Sequence, residues 1–403
     1  MPEAVIVATA RSPIGRAFKG SLSTLRADDM TAQMVVAALA QVPELPLSDI
    51  EDLMLGCGAP GGEQGFNMAR VVCILSGLEH VGGTTVNRYC SSSLQTIRMA
   101  AHAIRCGEGE AFIAAGVENV SRFVSGSSDT FPDTTNPRFD DAHARSEARS
   151  GGHTSVWTPR SGLADIYIGM GQTAENVAQL EHITRAEMDQ FALESQRNTA
   201  EAIGTGFFQR DITPVTLPDG TQVCVDDGPR PDTTLETLAR LKPVFRPDGL
   251  VTAGNSCPLN DGGAAVVVMS DVRAHELGIT PLARVVSSAV TGLNPEIMGL
   301  GVVEACRRAL ARAGMTIDDI DLVEINEAFA AQVLPSMRYL GIDRSTLNVH
   351  GGAIALGHPF GMTGARIMTT LIHGLQETGG TIGLESMCVG GGQGMAMVIE
   401  RLN

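Results

Sequence analysis

Cys90 stands in Asn87-Arg88-Tyr89-Cys90-Ser91-Ser92-Ser93-Leu94-Gln95, where a β-rich run, Thr84-Thr85-Val86, turns abruptly into a helical pattern. Leu94, Ile97, Ala101 and Ile104 share one helical stripe, which predicts the serines at a helix N-terminus and Cys90 at or just before it. Free N–H groups and the positive end of the helix dipole there favour a thiolate, the reactive form of cysteine. The plainer reading of one such residue is a small buried apolar cysteine. Two segments near the C-terminus shift the balance. Gly351-Gly352-Ala353-Ile354-Ala355-Leu356-Gly357-His358-Pro359 delivers one imidazole on a glycine-rich apolar stretch, and Met387-Cys388-Val389-Gly390-Gly391-Gly392-Gln393-Gly394 delivers a second cysteine onto a loop with almost no side chains. Glycine there lets a substrate approach the backbone and leaves N–H groups free to hold a developing oxyanion.

Such chemistry has a definite use. Making or breaking a C–C bond next to a thioester carbonyl needs a nucleophile to carry an acyl group, a base to activate it, an acid/base for the α-carbon or the leaving thiolate, and oxyanion donors. Cys90, His358 and Cys388 supply the first three types. Asn326, in Glu324-Ile325-Asn326-Glu327-Ala328-Phe329-Ala330, follows a strand and precedes a helix, where it either positions a water or donor at an oxyanion or caps that helix.

The rest of the chain sets bounds on what these residues serve. With 403 residues and 43% hydrophobic content it can bury two or three domain cores. Its apolar runs are short and interrupted, and Met1-Pro2-Glu3-Ala4-Val5-Ile6-Val7 has no basic n-region, so neither a membrane span nor a signal peptide is expected. Eight cysteines without a CxxC pair, and no HExxH, point to a reducing compartment, read as the cytoplasm, and away from a metal site. The formal charge of −16 makes nucleic acid an unfavourable partner and gives an anionic substrate no long-range steering, so any phosphate contacts must be local.

The elements that must position these residues alternate. Strand-like Ala4–Ala8, helical Met30–Gln41, strand-like Asp52–Gly56 and Thr84–Val86, helical Leu94–Cys106 and strand-like Ala111–Ala115 predict α/β layering. An internal echo strengthens this: Ser48-Asp49-Ile50-Glu51-Asp52-Leu53-Met54-Leu55-Gly56 reads against Asp318-Asp319-Ile320-Asp321-Leu322-Val323-Glu324-Ile325-Asn326, the Cys90 turn against the His358 turn, and the closing strand Ala111–Ala115 against Met395–Glu400. Two such halves packed together would bring the corresponding turns to a shared cleft. Between them, Ser121–Arg160 reads as an excursion over the surface, and Thr184 with Glu187 as the capping box of a following helix, with Ile183 and Met188 as its staple.

At this point the chain resembles the thiolases of the acetyl-CoA acyltransferase family, from Ala8-Thr9-Ala10-Arg11-Ser12-Pro13 through Asn87-Arg88-Tyr89-Cys90-Ser91-Ser92, Asp226-Asp227-Gly228-Pro229-Arg230, Val251-Thr252-Ala253-Gly254-Asn255, Asn326-Glu327-Ala328-Phe329, Gly357-His358-Pro359 and Cys388-Val389-Gly390-Gly391-Gly392. The resemblance implies an α/β fold of two βαβαβαββ halves stacked as αβαβα layers. It divides the chain into a first half over residues 1–120, completed by 251–270, a loop domain over 121–250 covering the coenzyme A site, and a second half over 271–403. It implies Cys90 as acyl-accepting nucleophile, His358 as its base, Cys388 as acid/base, and two oxyanion holes, one from Asn326 through a water with His358, the other from the backbone N–H groups of Cys90 and Gly390. Coenzyme A, a substrate and not a cofactor, would meet Arg230 at its nucleotide end and Met170, Phe245, Ala253, Cys257, Ala328 and Phe329 along the pantetheine. The implied activity is CoA-dependent, reversible thiolysis of 3-ketoacyl-CoA to acetyl-CoA and a shortened acyl-CoA in β-oxidation, by a homodimer or homotetramer. An acetoacetyl-CoA thiolase of biosynthesis and a non-catalytic acyl-CoA-binding scaffold are the alternatives.

Departures from the family pattern bear on the pocket. Cys257 replaces a serine that contacts pantetheine, Ser93 a glycine after the nucleophile, His350 a frequent asparagine and Val302 a frequent proline. Gly169, in Tyr167-Ile168-Gly169-Met170-Gly171-Gln172, stands where acetoacetyl-CoA-restricted thiolases carry a pocket-filling histidine. That difference predicts a degradative enzyme preferring medium or longer chains, including branched or ring-bearing ones, unless Ser93 or other bulk refills the space. A ketoacyl synthase would use one cysteine with two histidines, and a dinucleotide-binding loop would lead into a helix and not into the strand-like Met395-Ala396-Met397-Val398-Ile399.

Overall fold

A computed structural model describes residues 1–123 and 134–403 of the chain, so residues 124–133 of the expected surface excursion lie outside the described residues. The first half runs β1 (Ala4–Arg11), α1 (Ala27–Leu39), β2 (Ile50–Cys57), α2 (Met68–Leu75), β3 (Gly82–Val86), α3 (Ser92–Cys106) and β4 (Ala111–Asn119). The connecting region holds α4 (Met170–Leu180) and α5 (Arg185–Thr205), followed by β5 (Asn260–Ser270). The second half runs β6 (Ala283–Gly292), α6 (Gly301–Ala313), β7 (Leu322–Ile325), α7 (Ala330–Leu340), α8 (Thr363–Thr378), β8 (Ile382–Val389) and β9 (Gln393–Arg401).

Among the described residues the strand order is β7-β8-β9-β6-β1-β5-β4-β2-β3, with the two-residue strand Gly15–Arg16 added beside β5. β1 and β6 join the two halves through only two residue pairs, Val5 with Arg284 and Ile6 with Ala283. Within each half the pattern repeats: β2 is parallel to β4 and β7 to β8, while β5 runs antiparallel to β4 and β1 as β9 does to β8 and β6. The expected echo is therefore real but shifted at its end. Ala111–Ala115 corresponds to Ile382–Val389, a strand the sequence pairing overlooked, and Met395–Glu400 corresponds to β5, which the chain reaches only after the long connecting region.

Strands β1, β4 and β5 are buried along their whole length, and their Ala/Val/Ile-rich sequences suit a sheet covered on both faces. One apolar cluster packs α1 and α2 on the outer face of the first half, and another packs α6 and α7 on the outer face of the second. Between the sheets lie α3 and α8, with α8 touching β1, β4 and β5 of the first half and β7, β8 and β9 of the second. This is the αβαβα layering that the resemblance implies. Outside it, α5 opens with the expected capping box: Glu187 N donates to Thr184 Oγ1 at 3.2 Å and Thr184 N to Glu187 Oε2 at 2.7 Å, over a buried Ile183 and Met188. No helix among the described residues is long and apolar enough to cross a membrane.

In the central layer, α3 and α8 approach until their backbones touch. A Cβ on Gly364 would stand 2.3 Å from Leu94 N, and Ser93 Oγ, on α3, accepts the N–H of Ala365, in the first turn of α8, at 2.9 Å. Ser93, which the sequence left as unexplained bulk, is thus a tie between the two helices. Substituting Gly364→Ala would force these backbones apart, and the expected cost of about 1–3 kcal/mol should lower the thermal unfolding midpoint by about 1–4 °C. An unchanged midpoint in differential scanning fluorimetry would contradict the tight crossing.

Candidate active site

Cys90 and His358 sit on turns that lead into the two central helices, whereas Cys388 and Asn326 sit at strand ends. Cys90 occupies a 3₁₀ turn, Tyr89–Ser91, immediately before α3, as the sequence anticipates. The turn is sharp: Tyr89 has φ of 44°, a left-handed conformation that side chains seldom adopt. It is held by Asn87 Oδ1, which accepts Tyr89 N at 2.8 Å, and by Ser92 Oγ, which accepts Arg88 N at 2.9 Å and donates to Tyr89 O at 2.7 Å. The turn contacts both α8 and β8. Cys388 is the penultimate residue of β8, and the three glycines after it form the hairpin to β9, with Gly391 and Gly392 at φ of 74° and 77°. Asn326 follows β7 directly, its N–H donating to Ser386 O at 3.0 Å, which holds it against the end of β8. Phe329, not Asn326, occupies the cap position of α7, so helix capping is not what holds Asn326 in place.

The imidazole of His358 has a fixed tautomer. Thr363 Oγ1 donates to Pro359 O at 2.8 Å, so at its 2.6 Å contact with His358 Nδ1 it accepts, placing the ring proton on Nδ1. Nε2 is left with a lone pair, 3.3 Å from Asn326 Nδ2, while Asn326 Oδ1 is buried without a protein partner. Burial, followed by the charge of Arg366, pushes the His358 pKa down to about 3, so the ring is a neutral base across the working pH range.

The thiols correct one expectation. The helix end does not make Cys90 a resting thiolate: burial raises its pKa to about 11, outweighing the N–H groups of Gly390 and of Cys90 itself, which favour the anion. Desolvation of the sulfur outweighs the helix end even though Cys90 as a residue stays partly exposed. Burial likewise raises Cys388 well above an ordinary thiol, with further opposition from Cys90 and Cys257. Cys257 is raised by burial and by Cys90. The three sulfurs therefore form one neutral cluster, with the Gly390 N–H on the Cys90 sulfur. Such a centre can start acyl transfer only by moving the Cys90 proton to a base, and Cys388, kept protonated, suits a proton donor.

Four supports were not legible as functional in the sequence. Glu118, at the end of β4 in the otherwise apolar Ala111-Phe112-Ile113-Ala114-Ala115-Gly116-Val117-Glu118, is fully buried and accepts Gly58 N at 2.8 Å, Ala59 N at 3.1 Å, Gly361 N at 2.9 Å and Gln64 Nε2 at 3.1 Å. It ties the loop after His358 to the first half, and a lone carboxylate in such a strand is the signal that could have found it. Arg88 donates to Gln95 Oε1 at 3.0 Å and to Gln393 Oε1 at 2.9 Å, and Gln393 Nε2 donates to Gly390 O at 3.2 Å. That chain fixes the Gly390 loop to the Cys90 turn across a separation no sequence pattern announces. Asn260 Oδ1 accepts His358 N at 3.0 Å, and Glu327 fastens the Asn326 segment by accepting Ser195 Oγ at 2.6 Å, Asn348 Nδ2 at 2.9 Å and Ile354 N at 3.1 Å.

The residues expected along coenzyme A form a track away from the thiols. Cys257 N donates to Ala328 O at 3.0 Å, Ser256 bridges to Phe329, and the rings of Phe329 and Phe245 meet edge-on at 6.2 Å. Met170 and Phe245 pack against the same apolar cluster as Ala328 and Phe329. Ala253 and Arg230 lie further out, on the wall of a cavity of about 320 Å³. Among the described residues Gly169 has open space around it, with no atom beyond its chain neighbours within 4 Å of where a Cβ would stand. His350 lies away from this track, stacked on Phe207 at 3.7 Å with Nε2 at 2.6 Å from Glu377 Oε2, and Val302 is buried in the cluster around α6.

The model of the thiolase N-terminal domain matches residues 4–272, and that of the thiolase C-terminal domain residues 279–401. The chain is 43% identical over 414 residues to the 3-oxoadipyl-CoA/3-oxo-5,6-dehydrosuberyl-CoA thiolase of Escherichia coli (strain K12), with all of both chains covered. It is 44% identical to a beta-ketoadipyl-CoA thiolase of Pseudomonas aeruginosa, covering 99% of each, and 42% identical to a 3-ketoacyl-CoA thiolase of Bacillus subtilis (strain 168), covering 99% of this chain and 100% of the relative. Among solved structures, the acetyl-CoA acetyltransferase of Bacillus anthracis superposes with a TM-score of 0.86 at 37% identity, covering 100% of this chain and 99% of that one.

The neutral resting state has a direct consequence. Iodoacetamide alkylation of Cys90, followed by peptide mapping, should accelerate by about tenfold per pH unit from neutrality into the alkaline range. A plateau near neutral pH would show a preformed thiolate.

Proposed function

We propose that this chain, which belongs to the thiolase family and is an acyltransferase, performs CoA-dependent thiolysis of 3-ketoacyl-CoA. The observation that carries this reading is the neutral cluster of Cys90, Cys388 and Cys257 under the Gly390 N–H, with the lone pair of His358 Nε2 set beside Asn326 on the neighbouring strand end.

In the forward direction Cys90 Sγ attacks the 3-keto carbon as its proton passes to His358 Nε2, and the oxyanion is received by the N–H groups of Cys90 and Gly390. The C2–C3 bond then breaks, its electron pair moving onto the acetyl-CoA portion as an enolate. The thioester oxygen of that enolate is held by His358 Nε2–H, now a donor, and by a water on Asn326. Cys388 protonates C2, giving acetyl-CoA and leaving a thiolate. That thiolate takes the proton of an incoming CoA thiol, whose sulfur attacks the acyl-Cys90 thioester. The shortened acyl-CoA leaves, and Cys90 regains its proton from His358.

For the substrate, the open space at Gly169 supports an acyl chain longer than four carbons. Ser93, the substitution expected to refill it, is instead buried in the central layer and committed to Ala365. The name of the Escherichia coli relative carries six- and eight-carbon dicarboxylic acyl groups and that of the Pseudomonas aeruginosa relative a six-carbon one, which supports adding a dicarboxylic 3-ketoacyl-CoA to the fatty 3-ketoacyl-CoAs as a substrate class. We also propose a homo-oligomer: Phe66, Val71, Ile74 and Leu75 are exposed beside the open edge of β3. Eight unpaired thiols support a cytoplasmic location.

Two experiments test this. Cys90→Ala should abolish both the one-per-subunit acyl adduct and turnover, whereas Cys388→Ser should still acylate at Cys90 while turnover falls by roughly 10²–10⁴-fold. An adduct that persists in Cys90→Ala, or wild-type turnover in Cys388→Ser, would reverse these roles. Separately, kcat/KM should be higher for 3-ketoadipyl-CoA or for six- to ten-carbon 3-ketoacyl-CoAs than for acetoacetyl-CoA, each additional buried CH₂ contributing up to about 0.8 kcal/mol. Preference for acetoacetyl-CoA would assign the chain to the four-carbon reaction instead.

A further inference from the structure

The cavity of about 320 Å³ beyond Ala253 is bordered by two arginines from distant parts of the chain, Arg16 and Arg230. Arg16 belongs to the short strand paired with Asn260 and Asp261 of β5. Its N–H donates to Asp227 Oδ2 at 3.0 Å and its Nη2 to Gly228 O at 3.2 Å, so the side chain lies along the loop that presents Arg230. Arg230 is itself fastened by its backbone, its N–H donating to Gln196 Oε1 at 2.8 Å. Among the described residues neither guanidinium lies within 4.0 Å of a carboxylate, although Asp232 borders the same cavity and the chain carries a formal charge of −16.

Two guanidiniums held toward one cavity without an ion-pair partner are unfavourable unless an anion completes the arrangement. The mutual opposition is visible at Arg230, whose pKa is lowered by burial and then by Arg16. In so acidic a chain a phosphate-bearing ligand cannot rely on the overall field and needs fixed local cations, preferably the planar fork of arginine. The cavity continues the track of Ala253, Cys257 and Phe329 that leads out from the thiols, which places it at the nucleotide end of a bound coenzyme A. We propose that Arg16 is a phosphate-binding residue of this site, acting with Arg230 as a two-guanidinium clamp on the phosphates of the coenzyme A nucleotide. This rests on the thiolase reading above, and it assigns a role to a residue that no motif singles out.

The test compares three thiol acceptors, CoA, 3′-dephospho-CoA and pantetheine, in thiolysis by the wild-type enzyme and by its R16A and R16K variants, with CoA binding measured independently by calorimetry. R16A should raise both KM and Kd for CoA by roughly tenfold, the size expected of one charge-assisted hydrogen bond, with kcat nearly unchanged. The same substitution should leave KM for pantetheine, which has no phosphate, within about twofold, and R16K should recover part of the loss. If 3′-dephospho-CoA responds like pantetheine, the contact is to the 3′-phosphate; if it responds like CoA, the contact is to the diphosphate. Either supports the clamp. An equal loss with pantetheine would make Arg16 a structural prop for the Gly228 loop, and unchanged CoA affinity would remove it from the site; both overturn the proposal. A wild-type enzyme that binds CoA but cleaves no 3-ketoacyl-CoA would fail the thiolase reading and leave the calorimetric arm to judge Arg16.

Discussion

The backbone contact between α3 and α8 is the constraint on which the catalytic geometry depends. Cys90 and His358 lie far apart in sequence, each on the turn before one of these helices, and only the approach of the two helices brings those turns onto one centre. Gly364 makes the approach possible by having no Cβ to meet the backbone at Leu94, and Ser93 holds it by accepting the N–H of Ala365. Glu118 and the Arg88–Gln393–Gly390 chain then lock the two surrounding loops to that helix pair. The four N–H donors on the buried Glu118 carboxylate and the two acceptors on the Arg88 guanidinium are costly to leave unpaired, so these loops have few alternative arrangements.

The same central position explains the electrostatics. Burial at the central layer drives the three reactive groups toward their uncharged forms: Cys90 up to about 11, Cys388 well above the ordinary range, His358 down to about 3. A thiolate–imidazolium pair would be a standing buried ion pair, with its desolvation cost. A neutral thiol and a neutral imidazole defer charge separation until a carbonyl is present, and the N–H groups of Gly390 and Cys90 already favour negative charge at the Cys90 sulfur. Thr363 contributes by fixing the proton on Nδ1, so that Nε2 is the basic atom before substrate arrives.

Away from the centre the logic is one of recognition. The apolar track of Phe245, Ala328 and Phe329 ends at the cavity bordered by Arg16 and Arg230, so the molecule grades from dry and neutral at the sulfurs to wet and cationic at the surface. That gradient matches a ligand with a thiol at one end and phosphates at the other.

Much of this was determined by the sequence alone. The strand-to-helix break at Cys90, the imidazole of Gly357-His358-Pro359, and the cysteine on a triple-glycine loop specify reactive groups through local rules: helix starts, glycine backbone and side-chain chemistry. The capping box of Thr184 and Glu187 was equally legible, because all its contacts lie within one turn. What the tertiary structure decided depends on contacts between distant segments. The ionisation of Cys90 was misread because the helix dipole is visible in the sequence whereas the burial that overrides it is not. The role of Ser93 depends on a helix more than two hundred residues away, and the pairing of the halves went astray at their last strands because β5 is separated from β4 by the whole connecting region. Arg16 carried no signal at all, since its neighbour at the cavity is Arg230 and only the folded sheet, pairing Gly15–Arg16 with β5, sets the two side by side.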